Sequence, residues 1–210
     1  MITCVTYENL HLTGKAFDSQ FMLRHKCFID RQSYNVKTFN GKEYDQYDTP
    51  ATVYLVYCDI NGNALGVSRL IPTSHACMLN DLWPDMLQNS SEYKSPDIWE
   101  GTRFCVDKQL APELRKKIVH ELVLAYLEFG IAAGITKIIG IMPGVVMRSV
   151  FKNSGIQYEP LGTRLIDGIK IQAAAMSINK QQLETSRKIT GIKSQTLSFY
   201  SHNTNLIKAA

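Results

Sequence analysis

Paired cysteines are missing from this chain. The five present (Cys4, Cys27, Cys58, Cys77 and Cys105) are an odd number, widely spaced and without a short paired motif, which fits buried thiols in a reducing cytoplasm better than a disulfide framework. Histidines are few, and His11, His25, His75, His120 and His202 do not cluster with cysteines or acids at ligand spacing, so no metal site is expected. Long apolar runs are lacking too. The most apolar region, 130–150, is broken by Lys137, Pro143, Arg148 and several glycines, which excludes a helical membrane span there. Glu8, His11, Lys15 and Asp18 interrupt the first twenty residues, so a basic-then-apolar export signal is not expected. There is no internal repeat and no linker. What is there is ordinary globular material, 210 residues of which 45% are hydrophobic, enough for one sizeable core.

Charge is unevenly placed. Residues 1–107 carry nine Lys/Arg against thirteen Asp/Glu, a balance of −4, and residues 108–152 carry seven against three, a balance of +4. Residues 180–210 add five against one, again +4. An acidic front suits a small cationic ligand and a basic back suits an acidic partner or a phosphate, although solvated surface charge of no consequence gives the same counts.

In chain order, 2–7 reads as a strand, and 16–31 has the three-and-four spacing of an amphipathic helix. Arg24 lies between Phe21 and Phe28, one turn from each. It either snorkels at the surface or faces inward and requires an acid. Residues 32–50 are polar and irregular, and contain Glu43-Tyr44-Asp45-Gln46-Tyr47-Asp48. Alternating acids and rings both attract a positive ligand, so this segment is a candidate cation site; a calcium loop lacks the required spacing and distal Glu.

Two strand-like runs, 52–58 and 64–72, flank an Asn61-Gly62 hairpin signal, with Arg69 in the second. A short helix or turn over 79–87 holds Trp83. A helix over 111–133, opened by Pro112, loads its first turns with Arg115, Lys116 and Lys117. A buried strand over 136–142 and a second helix from Pro143 to Asn153 follow, the latter presenting Arg148 and Lys152. Residues 157–158 and 169–178 complete the sheet, with turns at Leu161-Gly162-Thr163 and Asp167-Gly168. Beyond 180 the composition turns to Gln, Ser, Thr, Asn and Lys, the mark of a weakly held tail, partly helical over 181–188. The expected organisation is one mixed α/β layered domain over 1–179 and a basic tail over 180–210.

The stretch Trp99-Glu100-Gly101-Thr102-Arg103-Phe104 puts two charges inside a strand-like run over 96–106. Three apart, Glu100 and Arg103 belong on opposite faces of a regular strand. One extra residue in the ladder, with Gly101 as the residue suited to the bulge, brings them to one side. The competing reading is a surface strand with an ion pair and a bend.

Together these features resemble the acyl-homoserine-lactone synthases, the autoinducer synthase family, over about residues 20–178. The resemblance rests on Arg24 and Phe28, on Glu43, Asp45 and Asp48, on Arg69, on Trp99-Glu100-x-Thr102-Arg103-Phe104, and on Gly144-Val145. The family's usual Trp after the first helix is here Tyr34, and its Phe-Pro is Trp83-Pro84. The resemblance implies a GNAT-like three-layer sandwich, a central mixed β-sheet flanked by helices. It further implies that the amine of S-adenosylmethionine attacks an acyl carrier protein thioester, and that the product lactonises with loss of methylthioadenosine. S-adenosylmethionine is then a substrate, no cofactor is needed, and neither nucleic acid nor membrane is a partner. A Gly-rich pyrophosphate loop is not visible between Val106 and Leu114, which speaks against an ordinary coenzyme A acetyltransferase.

On this reading Glu100 is the general base, directly or through water. An α-amine of pKa about 7.8 is roughly a tenth neutral at pH 7, so selecting that form costs only about 1.4 kcal/mol. Efficient transfer needs burial to lift Glu100 to about 6 to 7, which a neighbouring Arg103 opposes. Arg103 is therefore expected to pair with Asp45 or Asp48, and a backbone N–H near Arg103 or Phe104 to meet the oxyanion. Arg24, Phe28, Tyr34, Glu43, Asp45, Asp48, Arg69 and Thr102 make the S-adenosylmethionine site and its ion network. Trp83, Ile141 and Met142 make the acyl pocket; Met142 with Ile141 and Pro143 gives no obvious donor for a 3-oxo group, which favours an unsubstituted chain. Arg115, Lys116, Lys117, Arg148 and Lys152 receive the carrier protein. Two alternatives are a GNAT-like N-acyltransferase using acyl-CoA and another amine, and a silent docking protein.

Overall fold

The computed structural model describes residues 1–32, 36–87, 89–166 and 168–199. In chain order these form β1 (Ile2–Val5), α1 (Leu10–His25), β2 (Thr38–Phe39), β3 (Lys42–Glu43), β4 (Val53–Cys58), β5 (Ala64–Pro72), α2 (Met78–Leu82) and β6 (Ile98–Val106). Then come α3 (Pro112–Ala133), β7 (Lys137–Pro143), α4 (Gly144–Val150), β8 (Tyr158–Ile166), β9 (Ile169–Ser177), α5 (Lys180–Thr190) and β10 (Leu197–Phe199). Eight strands make one mixed sheet in the order β10-β1-β4-β5-β6-β7-β9-β8, with β1–β10 and β6–β7 parallel. No helix among the described residues is long and apolar enough to cross a membrane.

Strand alternation sorts the core into two layers. Ile2, Cys4, Val53, Leu55, Leu70 and Trp99 point to one face and pack on Ile118, Leu122, Tyr126 and Phe129 of α3. Val5, Tyr54, Val56 and Val67 point to the other and pack on Ala16, Leu23 and Cys27 from α1 and the π turn that extends it over Lys26–Asp30. The 52–72 hairpin forms as its sequence signal predicts, with Asp59 Oδ1 accepting from the amides of Asn61 and Asn63.

Two expectations fail at the C-terminal side. Leu161-Gly162-Thr163 is not a turn but part of β8, where a bulge between Pro160 and Gly162 keeps the strand paired with β9. Gly162 is required there because a Cβ would sit 2.4 Å from the Met86 carbonyl oxygen. Residues 180–199 are no loose tail: α5 is capped by the Asn179 side chain, which accepts from Gln182 N at 2.8 Å, and stops at Gly191 in the left-handed region. The chain then returns as β10 against β1, held by Glu128 of α3, whose carboxylate accepts from Thr196 N, Leu197 N and the Thr196 hydroxyl. A buried acid on a distant helix fixes this strand, and local composition carries no sign of it.

Candidate active site

Register places one row of side chains across three strands on the α1 face, since Tyr54 of β4 lies opposite Arg69 of β5, and Arg69 opposite Thr102 of β6. Arg24, in the last turn of α1, is fully buried above this row. The acidic segment reaches it through a tight reversal at Asn40-Gly41, both in the left-handed region, and an Asp45–Asp48 turn in which Asp48 Oδ2 accepts from Asp45 N at 2.8 Å.

Three guanidiniums meet three carboxylates here. Arg24 donates from Nε to Glu43 at 2.6 Å and from both terminal nitrogens to Asp48 at 2.8 and 2.9 Å. Arg69 binds Asp45 at 2.6 Å, Asp48 at 3.0 Å and the Thr102 hydroxyl at 2.8 Å. Arg103 binds Asp45 at 2.6 Å and Glu43 at 2.9 Å. Tyr54 donates to Asp48 at 2.7 Å, and Phe21, Tyr47 and Phe28 lie 5.0, 5.9 and 5.8 Å from Arg24, Arg69 and Arg103. Burial would raise the acids, but the hydrogen bonds and charges of the arginines overcome it and hold Asp45 and Asp48 below the usual carboxylate range.

The acids of the candidate cation site are thus engaged by the protein's own arginines. The acid-and-ring alternation is consumed within the protein, because a buried carboxylate is tolerated only when paired and the guanidinium fork matches it. The pairing of Arg103 with Asp45 is as expected. Gln20, whose amide oxygen accepts from Arg24 at 3.5 Å, Tyr54 and Met78 also belong to the site and were missed. Tyr54 was findable, since alternation in its strand puts it on the face opposite Val53 and Leu55.

Glu100, buried beside this network, accepts from the backbone N–H groups of Met78 and Leu79, both at 2.8 Å, at the start of α2. Burial pushes its carboxyl up to about 7, against those two bonds and the charge of Arg69. The Met78 sulfur lies 3.5 Å from Arg69 and 3.4 Å from Arg103, just beyond the Glu100 contact. The bulge that brings Glu100 and Arg103 to one side exists, since β5 advances from Val67 to Arg69 while β6 advances from Cys105 back to Thr102. It falls at Arg103, whose φ is +54°, and not at Gly101. Parity changes there, so Cys105 returns to the α1 face while Phe104 packs on Tyr126 and Phe151.

Below the bulge the sheet forks. β6 and β7 pair only from Ile98–Lys137 to Gly101–Gly140, and a cavity of about 30 Å³ lies under the fork, walled by Tyr126, Ile138, Met142, Met147 and Phe151. Met142 faces it. Trp83 and Ile141 do not: they pack with Leu79, Met86 and Leu87 on the opposite face, because neighbours on a strand point apart. Lys116, Lys117, Arg148 and Lys152 are exposed, and half-buried Arg115 donates to the Lys108 carbonyl. Tyr34 lies outside the described residues. Among those residues no group of three or more His, Cys, Asp or Glu could hold a metal ion.

A mixed sheet forked between parallel central strands, with a bulge on one arm, is the GNAT-type acyltransferase architecture. A putative N-acetyltransferase from Lactobacillus plantarum shares this fold at a TM-score of 0.55 and 13% identity, over 85% of this chain and 99% of that one. The autoinducer synthase family model matches residues 9–186, and the chain belongs to that family. It is similar to an acyl-homoserine-lactone synthase of Rhizobium etli, 31% identical over 77% of this chain and 76% of the relative. An isovaleryl-homoserine lactone synthase of Bradyrhizobium diazoefficiens is 27% identical over 92% and 87%. A CoA-dependent acyl-homoserine lactone synthase solved with SAM and isopentyl-CoA superposes at a TM-score of 0.85 with 25% identity, covering 99% of this chain and 97% of that one.

Proposed function

We propose that this chain is an acyl-homoserine-lactone synthase acting in the cytoplasm on S-adenosylmethionine and a short, unsubstituted acyl thioester. The observation that carries the reading is the forked sheet with buried Glu100 and the arginine–carboxylate network on one side of the bulge and an apolar cavity on the other. Glu100 removes the proton as the amine nitrogen attacks the thioester carbon, directly or through water. Its pKa near 7 suits that task. Backbone N–H groups at the Arg103–Phe104 bulge receive the oxyanion. The thiol departs, and the methionyl carboxylate then displaces methylthioadenosine to close the lactone. Arg24, Phe28, Glu43, Asp45, Asp48, Arg69 and Thr102 position the acceptor as a rigid, internally neutral floor.

The donor's pantetheine arm lies in the fork. Coenzyme A is the favoured carrier, supported by likeness to the CoA-dependent synthase. Acyl carrier protein is the second reading, supported by the exposed basic residues at the start of α3 and on Arg148 and Lys152. Incubating the purified enzyme with S-adenosylmethionine and either isovaleryl-CoA or the matching acyl carrier protein tests both. Methylthioadenosine and lactone released in equal amounts are expected, faster with the CoA thioester. An acylated amine without methylthioadenosine sinks the proposal.

A further inference from the structure

We infer that Tyr126 sets the length of acyl chain this enzyme accepts, an inference that rests on the proposed acyl transfer. Tyr126 sits in the middle of α3 with its ring fully buried under the fork. Its ring meets Phe151 edge-on at 5.9 Å and lies 6.3 Å from Phe104. Its hydroxyl contacts the Ser68 hydroxyl, and Ser68 is the residue of β5 that the register skips opposite the bulge, donating to Thr102 O at 3.2 Å. The ring is thus fixed at both ends, by aromatic contacts along its body and a buried hydrogen bond at its tip.

The sequence makes room for it by omission. A Cβ on Gly101 would stand 2.7 Å from the Tyr126 ring, so a side chain at 101 and a large ring at 126 exclude each other. The ring fills space directly beneath the last paired residues of β6 and β7, leaving about 30 Å³, room for roughly two water-sized groups. The remaining walls include Met142, Met147 and Met176, whose unbranched thioethers yield to a guest. A rigid aromatic ring held against Phe104 and Phe151 does not. A chain entering the fork therefore extends a few carbons, widens towards the methionines, and stops at Tyr126.

The test is internal competition: equal mixtures of straight-chain acyl-CoA donors from four to ten carbons, with thiol release read for each donor alone and lactone distribution by mass spectrometry. Wild type should favour the shortest donors. Tyr126→Ala should raise the long-to-short ratio by at least about tenfold, the discrimination a few methylenes carry in an apolar pocket, while Tyr126→Phe should leave it near wild type because the ring stays. If the Ala variant does not fold, Tyr126→Met keeps most of the apolar filling, replaces the rigid ring by a flexible chain and should shift the ratio the same way. Unchanged ratios in a folded, active variant overturn the inference. Thiol release that follows chain length without any lactone leaves the inference standing and overturns the lactone-synthase reading instead.

Discussion

Glu100 carries a proton in the folded protein at pH values where it would be bare in the unfolded chain, because burial lifts it from an ordinary 4.5 to about 7. Between those values the native state holds more protons than the unfolded one, so stability falls as pH rises through the window, by up to about 1.4 kcal/mol per pH unit. The paired Asp45 and Asp48 act in the opposite sense, losing their contribution only as pH falls below the usual carboxylate range. Glu100→Gln should therefore flatten the denaturation-midpoint profile between pH 5 and 7, and parallel wild-type and variant curves would sink the assignment. The same substitution should slow acyl transfer by about 10- to 100-fold and remove the rise in rate centred near pH 7. The loss stays at the low end of general-base effects because roughly a tenth of the amine is already neutral at pH 7 and selecting that form costs only about 1.4 kcal/mol.

At the scale of elements, most of the layout was legible and its exceptions have nameable causes. The hairpin over β4 and β5, the helix α3 and the buried strand β7 follow from Asn-Gly punctuation and apolar periodicity. β10 was not legible, because its partner is a carboxylate on α3 about seventy residues away. The partly helical stretch expected over 181–188 is α5, and its cap at Asn179 and stop at Gly191 set its ends. Glu128→Ala would leave the amides of Thr196 and Leu197 and the charge of Arg187 without their acceptor. A loss of about 2 to 4 kcal/mol is expected, a fall in Tm of roughly 5 to 15 °C for a chain of this size. A thermal melt shifted by less than about 2 °C would mean that β10 is held by packing alone.

Across the whole molecule, one ion network ties α1, the acidic segment, β5 and β6 together. Its members were legible as charges in apolar surroundings. The pairing of Arg103 with Asp45 was legible too, whereas the place of the bulge was not; Met142 and Ile141 serve different faces by ordinary strand alternation. Since those six charges cancel internally, what the outside meets is set by the exposed groups, and the basic stretch over 108–152 carries a balance of +4. Lys116 and Lys117 stand exposed at the head of α3, and the only ion pair they make among the described residues, Lys117 to Glu121 at 3.9 Å, is worth little at such a surface. Both side chains are free to draw an anionic donor towards the fork. Charge reversal in Lys116→Glu/Lys117→Glu should raise the KM for the donor about fivefold or more in 50 mM salt. The effect should fade towards 0.5 M salt, where screening shortens the Debye length to below about 5 Å. A rise confined to acyl carrier protein, with the acyl-CoA KM unmoved, would turn the choice of carrier to the protein-borne thioester; a KM unmoved for both would show that the basic face steers neither.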